Sequence, residues 1–364
     1  MFCSICSNLA TQNEKYYMED FIHLHVHTNY SILDGQSKIP KLVDKAIKDG
    51  MKGMAITDHG VMFGIKELSD YCAGVNKKRK AEGLEPFKPI LGCEMYVAHH
   101  RLEDKVKENG DNSGYHLIVL AKNYNGYKNL IKLVSRSWVD GYYYRPRTDK
   151  FELEKYHEDL IVCSACIAGE VPSKVLHGDL KGAREACEWY HRVFGDDFYL
   201  ELQRHEVKDP SLLANRGAFP LQQKANKVLM DFAKEYGIKL VCTNDVHFED
   251  KETAEAHDHL LCLATGRDLD DPNRMRYSKQ EWFKTKAEMN EIFSDVPEAM
   301  VNTLEVLDKV EIYSIEHGPI MPFFPIPEDF GTEEAWRHKI TEEQLYKEFT
   351  SDENGENQLS EEEG

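Results

Sequence analysis

The chain has 364 residues, 41% of them hydrophobic, and a formal net charge of −19. That is enough apolar material for one large core or two modest ones, and no apolar run approaches the ~20 residues of a membrane-spanning helix. The acidity speaks against a broad basic surface for duplex DNA, and nine cysteines without framework spacing suit a reducing, cytoplasmic setting.

Residues 1–18 lack the basic start and long apolar stretch of a signal peptide and read as a disordered leader. Cys3 and Cys6 lie there, with no second pair at zinc-site spacing. In Phe21–Thr28, His23, His25 and His27 alternate with Ile22, Leu24, Val26 and Thr28. A strand sends successive side chains to opposite faces, so one face is imidazole and the other mostly aliphatic. Clustered neutral imidazole most often serves a metal. Asp34-Gly35 follows, as a ligand candidate that also suits a turn.

Six further hydrophobic runs read as strands, at 53–57, 89–97, 115–121, 159–164, 197–203 and 238–243. Thr57-Asp58-His59 ends the first, Glu94 lies within the second and His116 opens the third. Cys166 and Glu170 follow the fourth, Gln203-Arg204-His205 ends the fifth, and Asn244-Asp245-Val246-His247 follows the sixth. Apolar residues at helical spacing predict helices at 37–49, 124–138, 180–194 and 221–236. Strand and helix in alternation imply parallel strands with right-handed crossovers. Seven such units fit a closed barrel better than an open sheet. Candidate ligands gather at the C-terminal strand ends, where a β/α barrel keeps its functional groups; His116, at a strand start, fits that rule poorly.

Between these runs, Tyr142-Tyr143-Tyr144-Arg145-Pro146-Arg147 combines stacking rings with two guanidinium groups, so Arg145 and Arg147 are candidates for substrate phosphate, with Arg204 a third. His99, His100, His257 and His259 lie off the strand-end pattern and read as solvated, and Glu170 as a surface carboxylate. Asp58 and Asn244 are placed to orient ligating imidazoles. Beyond residue 265 prolines punctuate the chain, a helix is expected over 286–310, and Met321–Pro327 reads as an extended apolar connector. Residues 331–364 read as an acidic tail or linker.

The ligand candidates are His25, His27, Asp34, His59, Glu94, His116, Cys166, Asp245 and His247. Nine exceed the four that one zinc takes, which implies two or three divalent transition ions. Imidazole with carboxylate suits Zn, Mn or Fe better than Mg or Ca. Such a cluster activates water and polarises phosphoryl oxygens, so phosphoester hydrolysis is the expected reaction class, with an amidohydrolase left open by the ligand chemistry.

His25-Val26-His27-Thr28, Asp34-Gly35, Thr57-Asp58-His59 and Asn244-Asp245-Val246-His247 resemble the motifs of the polymerase and histidinol phosphatase (PHP) family. Phe21–Gly35, Ser164–Glu170 and Tyr277–Pro327 resemble, more closely, its branch at the N-terminus of bacterial replicative DNA polymerase III alpha subunits. The resemblance implies a distorted (β/α)7 barrel over 19–270, a connector leading toward a polymerase palm over 271–330, and a trinuclear site on the nine residues above. It implies His59, Asp245 and His247 at the catalytic step of a Mn- or Zn-dependent 3′→5′ proofreading exonuclease. A DNA 3′ end and other replicative subunits, with no membrane, are the implied partners. Two alternatives stay open: a metal-stabilised platform for a separate proofreading exonuclease, and a small-molecule phosphatase. His23 stands where many relatives have Asp and is not counted as a ligand. The chain stops before the palm carboxylates, as an N-terminal fragment would.

Overall fold

All seven hydrophobic runs are buried, and six of them are strands in the computed structural model, which describes residues 18–105, 113–322, 334 and 344. The leader with its two cysteines and nearly all of the acidic tail lie outside the described residues. The elements are α1 (Ile39–Lys48), β1 (Gly53–Ile56), α2 (Ile65–Ala81), β2 (Lys88–Val97), β3 (Tyr115–Ala121), α3 (Tyr124–Val139), β4 (Arg147–Thr148) and α4 (Lys150–Lys155). There follow β5 (Leu160–Cys163), α5 (Glu170–Leu176), α6 (Leu180–Phe194), β6 (Phe198–Leu202), α7 (Ala218–Tyr236), β7 (Lys239–Cys242), α8 (Ala254–Thr265), α9 (Lys286–Ile292) and α10 (Pro297–Lys309). The chain divides into two units, 1–315 and 316–364; in the second, residues 316–322 carry neither helix nor strand.

The sheet runs β1-β2-β3-β5-β6-β7, with β4 beside β2. The run expected as the first strand is instead an extended segment with a single bridge, Val26 to Val246. Its backbone serves both sheet edges. Ala55 and Thr57 N–H donate to the carbonyls of His23 and Val26, at 2.9 and 2.8 Å. On the other side His27 N–H reaches Val246 O at 2.7 Å, and Val246 N–H reaches His25 O at 3.1 Å. A step of two residues at the end of β1, Ala55 to Thr57, spans three of the segment, so the ladder is irregular, as at a bulge. The result is a sheet curled into a distorted α/β barrel whose closing stave carries His25 and His27.

One expectation is corrected. The strands are not all parallel: β3 runs antiparallel to both β2 and β5. Tyr96 faces His116 and Val97 faces Tyr115, so the chain returns beside β2 directly, as antiparallel neighbours permit. The start of β3 therefore lies at the end where the parallel strands finish. This removes the misfit of His116, which bridges Gly169 just after β5.

Helices form where the apolar spacing places them, each presenting residues such as Leu42, Val43 and Ala46 of α1 to the core. The helix expected over 286–310 is two. Pro297 has no N–H for an upstream carbonyl and restricts Val296, so it opens α10 at its first turn instead of continuing α9. Residues 271–310 pack on the barrel: Asn302 donates to Leu240 O, and Thr303 Oγ1 accepts Ile22 N–H.

Candidate metal centre

The histidines of the closing stave have assigned tautomers. His25 Nδ1–H donates to Glu201 Oε1 at 2.7 Å. His27 Nδ1–H donates to Ser31 Oγ at 3.0 Å, because that hydroxyl already donates to Asp58. Each ring is thereby left with a bare Nε2. The two Nε2 atoms face each other at 3.2 Å, and Asp245 Oδ1 lies 3.1 and 3.3 Å from them. Without a proton or a cation between them, two lone pairs and a carboxylate oxygen do not attract one another. Ligands around a tetrahedral zinc at ordinary bond lengths sit about 3.3 Å apart, so the triangle is one face of a coordination shell.

All nine sequence candidates converge here. His59 Nδ1 lies 2.5 Å from Glu94 Oε2, and its Nε2 lies 2.9 Å from Asp34 Oδ2. Glu94 Oε1 lies 2.8 Å from His116 Nδ1, and Cys166 Sγ is 3.7 Å from that nitrogen. His247 Nε2 is 3.7 Å from Asp34 Oδ2. Three overlapping groups have donor atoms within 4.8 Å of one another: His25, His27 and Asp245; His59, Glu94 and His116; His27, His59 and His247. Glu94 Oε2, Asp245 Oδ1 and His59 Nδ1 are sealed from solvent and make no well-directed hydrogen bond, their nearest polar neighbours being one another and His25. Buried polar atoms are normally satisfied, so these orphans fit a cation. The side chains of His25, His27, Glu94 and His247 are sealed, while Asp34, His59, His116 and Asp245 keep 15–24% exposure and form the open side.

The electrostatics agree with the donor set. Burial alone would strip the proton from His25, but Asp245, Glu201 and Glu94 outweigh it and hold the imidazole well above its ordinary value. Against the same burial, Glu94 raises His59 and Asp34 raises His247 to about 9. His27 falls to about 3 through burial beside His59 and His247. Burial would neutralise Glu94, Asp34 and Asp245, yet the facing imidazoles keep all three well below the carboxylate range. Burial raises the Cys166 thiol and Asp245 raises it further, so a thiolate there needs a cation. Protons on histidine occupy the role that bound cations would take.

Other residues stand elsewhere. His23 turns to Lys284 O at 2.8 Å and packs on Phe283. Arg147, expected on phosphate, is fully buried; it donates to the carbonyls of Gly141, Leu102 and Asp104, fastening its loop. Arg204 is turned to Asp295 and Ile292 O, beside a separate groove of about 770 Å³, and not to the cluster. Of the three candidate arginines, Arg145 alone is exposed near the site, 5.7 Å from the Tyr96 ring, itself 5.1 Å from His116. Two readings are corrected. His257 is buried 5.7 Å from His247, because α8 folds back over the His247 loop. Glu170 is buried between Lys150 and Lys174. Asp58 anchors Thr28 and reaches the His27 ring through Ser31, whereas Asn244 donates to the Gln280 and Trp282 carbonyls and orients no ligating ring.

Two residues at the site escaped the sequence reading. Glu201 was legible as a lone carboxylate inside the fully buried strand β6. Tyr277, whose hydroxyl donates to Asp34 Oδ1 at 3.1 Å, had no local signal. Its segment reaches the site through long-range pairing, with Phe283 N–H on Phe248 O and His247 N–H on Glu281 O. Gly35 is needed for close approach, since a Cβ there would fall 2.2 Å from Thr28 O and push Asp34 away.

The PHP domain family model matches residues 23–205. The DNA polymerase III subunit alpha of Borreliella burgdorferi is 41% identical over 91% of this chain and 27% of its own length. That of Treponema pallidum is 36% identical, over 90% of this chain and 26% of its own. The chain thus spans about a quarter of the length of these relatives. Among solved structures, an amidohydrolase from Chromobacterium violaceum aligns at 12% identity and a TM-score of 0.32, over 62% of this chain and 87% of that one; so distant a likeness carries no argument. The match over half of its residues, with relatives aligned along about nine-tenths of it, places this chain in the PHP domain family, in the branch of the bacterial DNA polymerase III alpha subunits.

Proposed function

We propose that this chain is a metal-dependent phosphodiester hydrolase acting on the 3′ end of DNA, a 3′→5′ exonuclease able to proofread. The observation that supports it most directly is the triangle of bare donors, His25 Nε2, His27 Nε2 and Asp245 Oδ1, at 3.1–3.3 Å. The nine residues would hold two or three ions of Zn, Mn or Fe. Bound there, the ions would supply a hydroxide nucleophile near neutral pH and polarise the phosphoryl oxygens.

The chain's own groups do the rest. Glu201 and Ser31 fix the tautomers of His25 and His27, so that the lone pairs point inward. His59 and Asp245, on the open side, with His247 behind them, stand at the reacting phosphate. Arg145 is the exposed cation placed to hold the next phosphate along the strand. Residues 19–270 form the hydrolytic barrel and 271–322 the described part of a connector toward a palm; the remainder of the connector and nearly all of the tail lie outside the described residues. Other replicative subunits are the proposed partners.

The test is release of mononucleotides from a labelled single-stranded 3′ end by manganese-loaded protein, with metal content measured alongside. His59→Ala should abolish release. Equal release by the variant, or none by the wild type, would overturn the reading. Co-elution of a separate proofreading exonuclease with an inert wild type would indicate a docking platform. Turnover of phosphomonoesters but not DNA would indicate a small-molecule phosphatase.

A further inference from the structure

Aromatic side chains that the core has no use for stand beside the open face of the cluster. Trp138, in the last turn of α3, keeps 44% exposure, yet its Nε1–H donates to Gly60 O at 2.8 Å. Gly60 directly follows His59. A Cβ on Gly60 would fall 2.6 Å from Pro146 and 3.3 Å from Tyr96, so the 59–60 loop, the 141–146 loop and Tyr96 are packed together. Tyr142, 48% exposed, lies on the Trp138 indole with centroids 5.5 Å apart and planes 20° from parallel. Tyr144 is more exposed still and holds a left-handed backbone at φ 59°. The exposed Arg145 lies over Tyr96, whose ring is 5.1 Å from that of the ligand His116.

The backbone supports a functional reading. Among the described residues six non-glycines have left-handed φ, and four of them are Leu33, Tyr144, Ala165 and Asp245. Leu33 precedes the ligand Asp34, Ala165 precedes Cys166, Asp245 is a ligand, and Tyr144 belongs to the rim. Such conformations are costly and persist where a site over-determines them. Tyr144 gains no burial in exchange.

We infer that Trp138, Tyr142 and Tyr144 form a stacking platform for the unpaired bases of a single-stranded polynucleotide whose backbone Arg145 leads to the metal centre. The inference rests on the proposed hydrolytic reading and narrows its substrate to strands with free base faces. Rings suit this role because every base has a π-face, and an aromatic platform is indifferent to sequence. A net charge of −19 leaves little general attraction for nucleic acid, so stacking, one local cation and the bound metals must supply the affinity. A duplex end, its inner bases already stacked on each other, offers the platform only its terminal pair and gains less.

The test is the affinity of the metal-loaded chain for a fluorescein-labelled oligothymidylate ending in a cleavage-resistant phosphorothioate, read by anisotropy. Trp138→Ala and Tyr142→Ala should each weaken binding by about 5- to 100-fold. Trp138→Phe, which keeps a ring and loses the bond to Gly60, should retain most of the affinity. Unchanged metal content and thermal midpoint in Tyr142→Ala, which removes a half-exposed ring, separate lost stacking from misfolding. Equal binding by wild type and both alanine variants, no binding by the wild type, or a blunt duplex bound as tightly as the single strand would overturn the platform. Oligothymidylate bound through the rings but never cleaved when its ordinary phosphodiester form is supplied would leave the platform standing and fell the hydrolytic reading.

Discussion

Glu201 offers the sharpest test of how the centre is organised. Its Oε1 accepts three bonds: from His25 Nδ1 at 2.7 Å, Thr243 Oγ1 at 2.5 Å and Gln203 Nε2 at 2.9 Å. The carboxylate is buried, and it is among the groups that raise the basicity of His25. Glu201→Gln keeps an acceptor of nearly the same shape and removes the charge. Loss of such a carboxylate behind a ligating histidine costs metal affinity about 10- to 100-fold, or about 1.4 to 2.8 kcal/mol. Glu201→Leu strands three donors in the core; at about 1–3 kcal/mol each it should lower unfolding stability by about 3 kcal/mol or more. Competition with a calibrated chelator reads the first effect, and denaturant unfolding of metal-free protein reads the second. Glu170→Gln is the control, because Glu170 is equally buried but paired with Lys150 and Lys174 away from the donors. It should lower stability and leave metal affinity unchanged. If Glu201→Gln binds as many ions as tightly as the wild type, the charge of this carboxylate does not strengthen His25 as a ligand and the reasoning fails.

Four other outcomes follow from the same geometry. Tyr277→Phe removes the donor on Asp34 and should weaken metal binding about 5-fold without unfolding the chain; equal titration curves would show that hydroxyl to be idle. Arg147→Ala should destabilise by about 3 kcal/mol by stranding buried carbonyls, whereas Arg145→Ala should leave the melting temperature unchanged and weaken oligonucleotide binding; the reverse pattern would invert their roles. Burial lowers His23 to about 3, so between pH 6.5 and 3 the unfolded chain binds the proton that the folded one refuses. Stability therefore rises with pH across that window, and His23 alone should cost about 2 kcal/mol between pH 6.5 and 4.5 in metal-free protein, a loss that His23→Asn should lack; parallel pH profiles would count against it. Finally, chelation should lower the melting temperature and added manganese or zinc restore it, by about 2.7 kcal/mol at a hundred times the dissociation constant; a melting temperature indifferent to both would show that the cluster holds no ion in solution.

The donors were legible in the chain because ligand chemistry is written locally. Imidazoles at period two, His59 after an apolar run, and Asp245 and His247 after another each need only a strand and its end to be recognised. Glu201 was legible by the same rule, as a charge in a buried strand. Other features were decided by contacts that no local pattern records. The direction of β3, which brings His116 to the open face, follows from its pairing with β2 and β5. Arg145 and Arg147 are two residues apart with the same chemistry, yet one faces solvent and the other is buried among carbonyls of residues 102, 104 and 141. Tyr277 reaches Asp34 across 243 residues of chain. Composition and spacing determine which atoms can bind a cation. Only closure of the sheet brings those atoms within a coordination sphere, because donors from distant segments must be held against their mutual repulsion by the packing behind them.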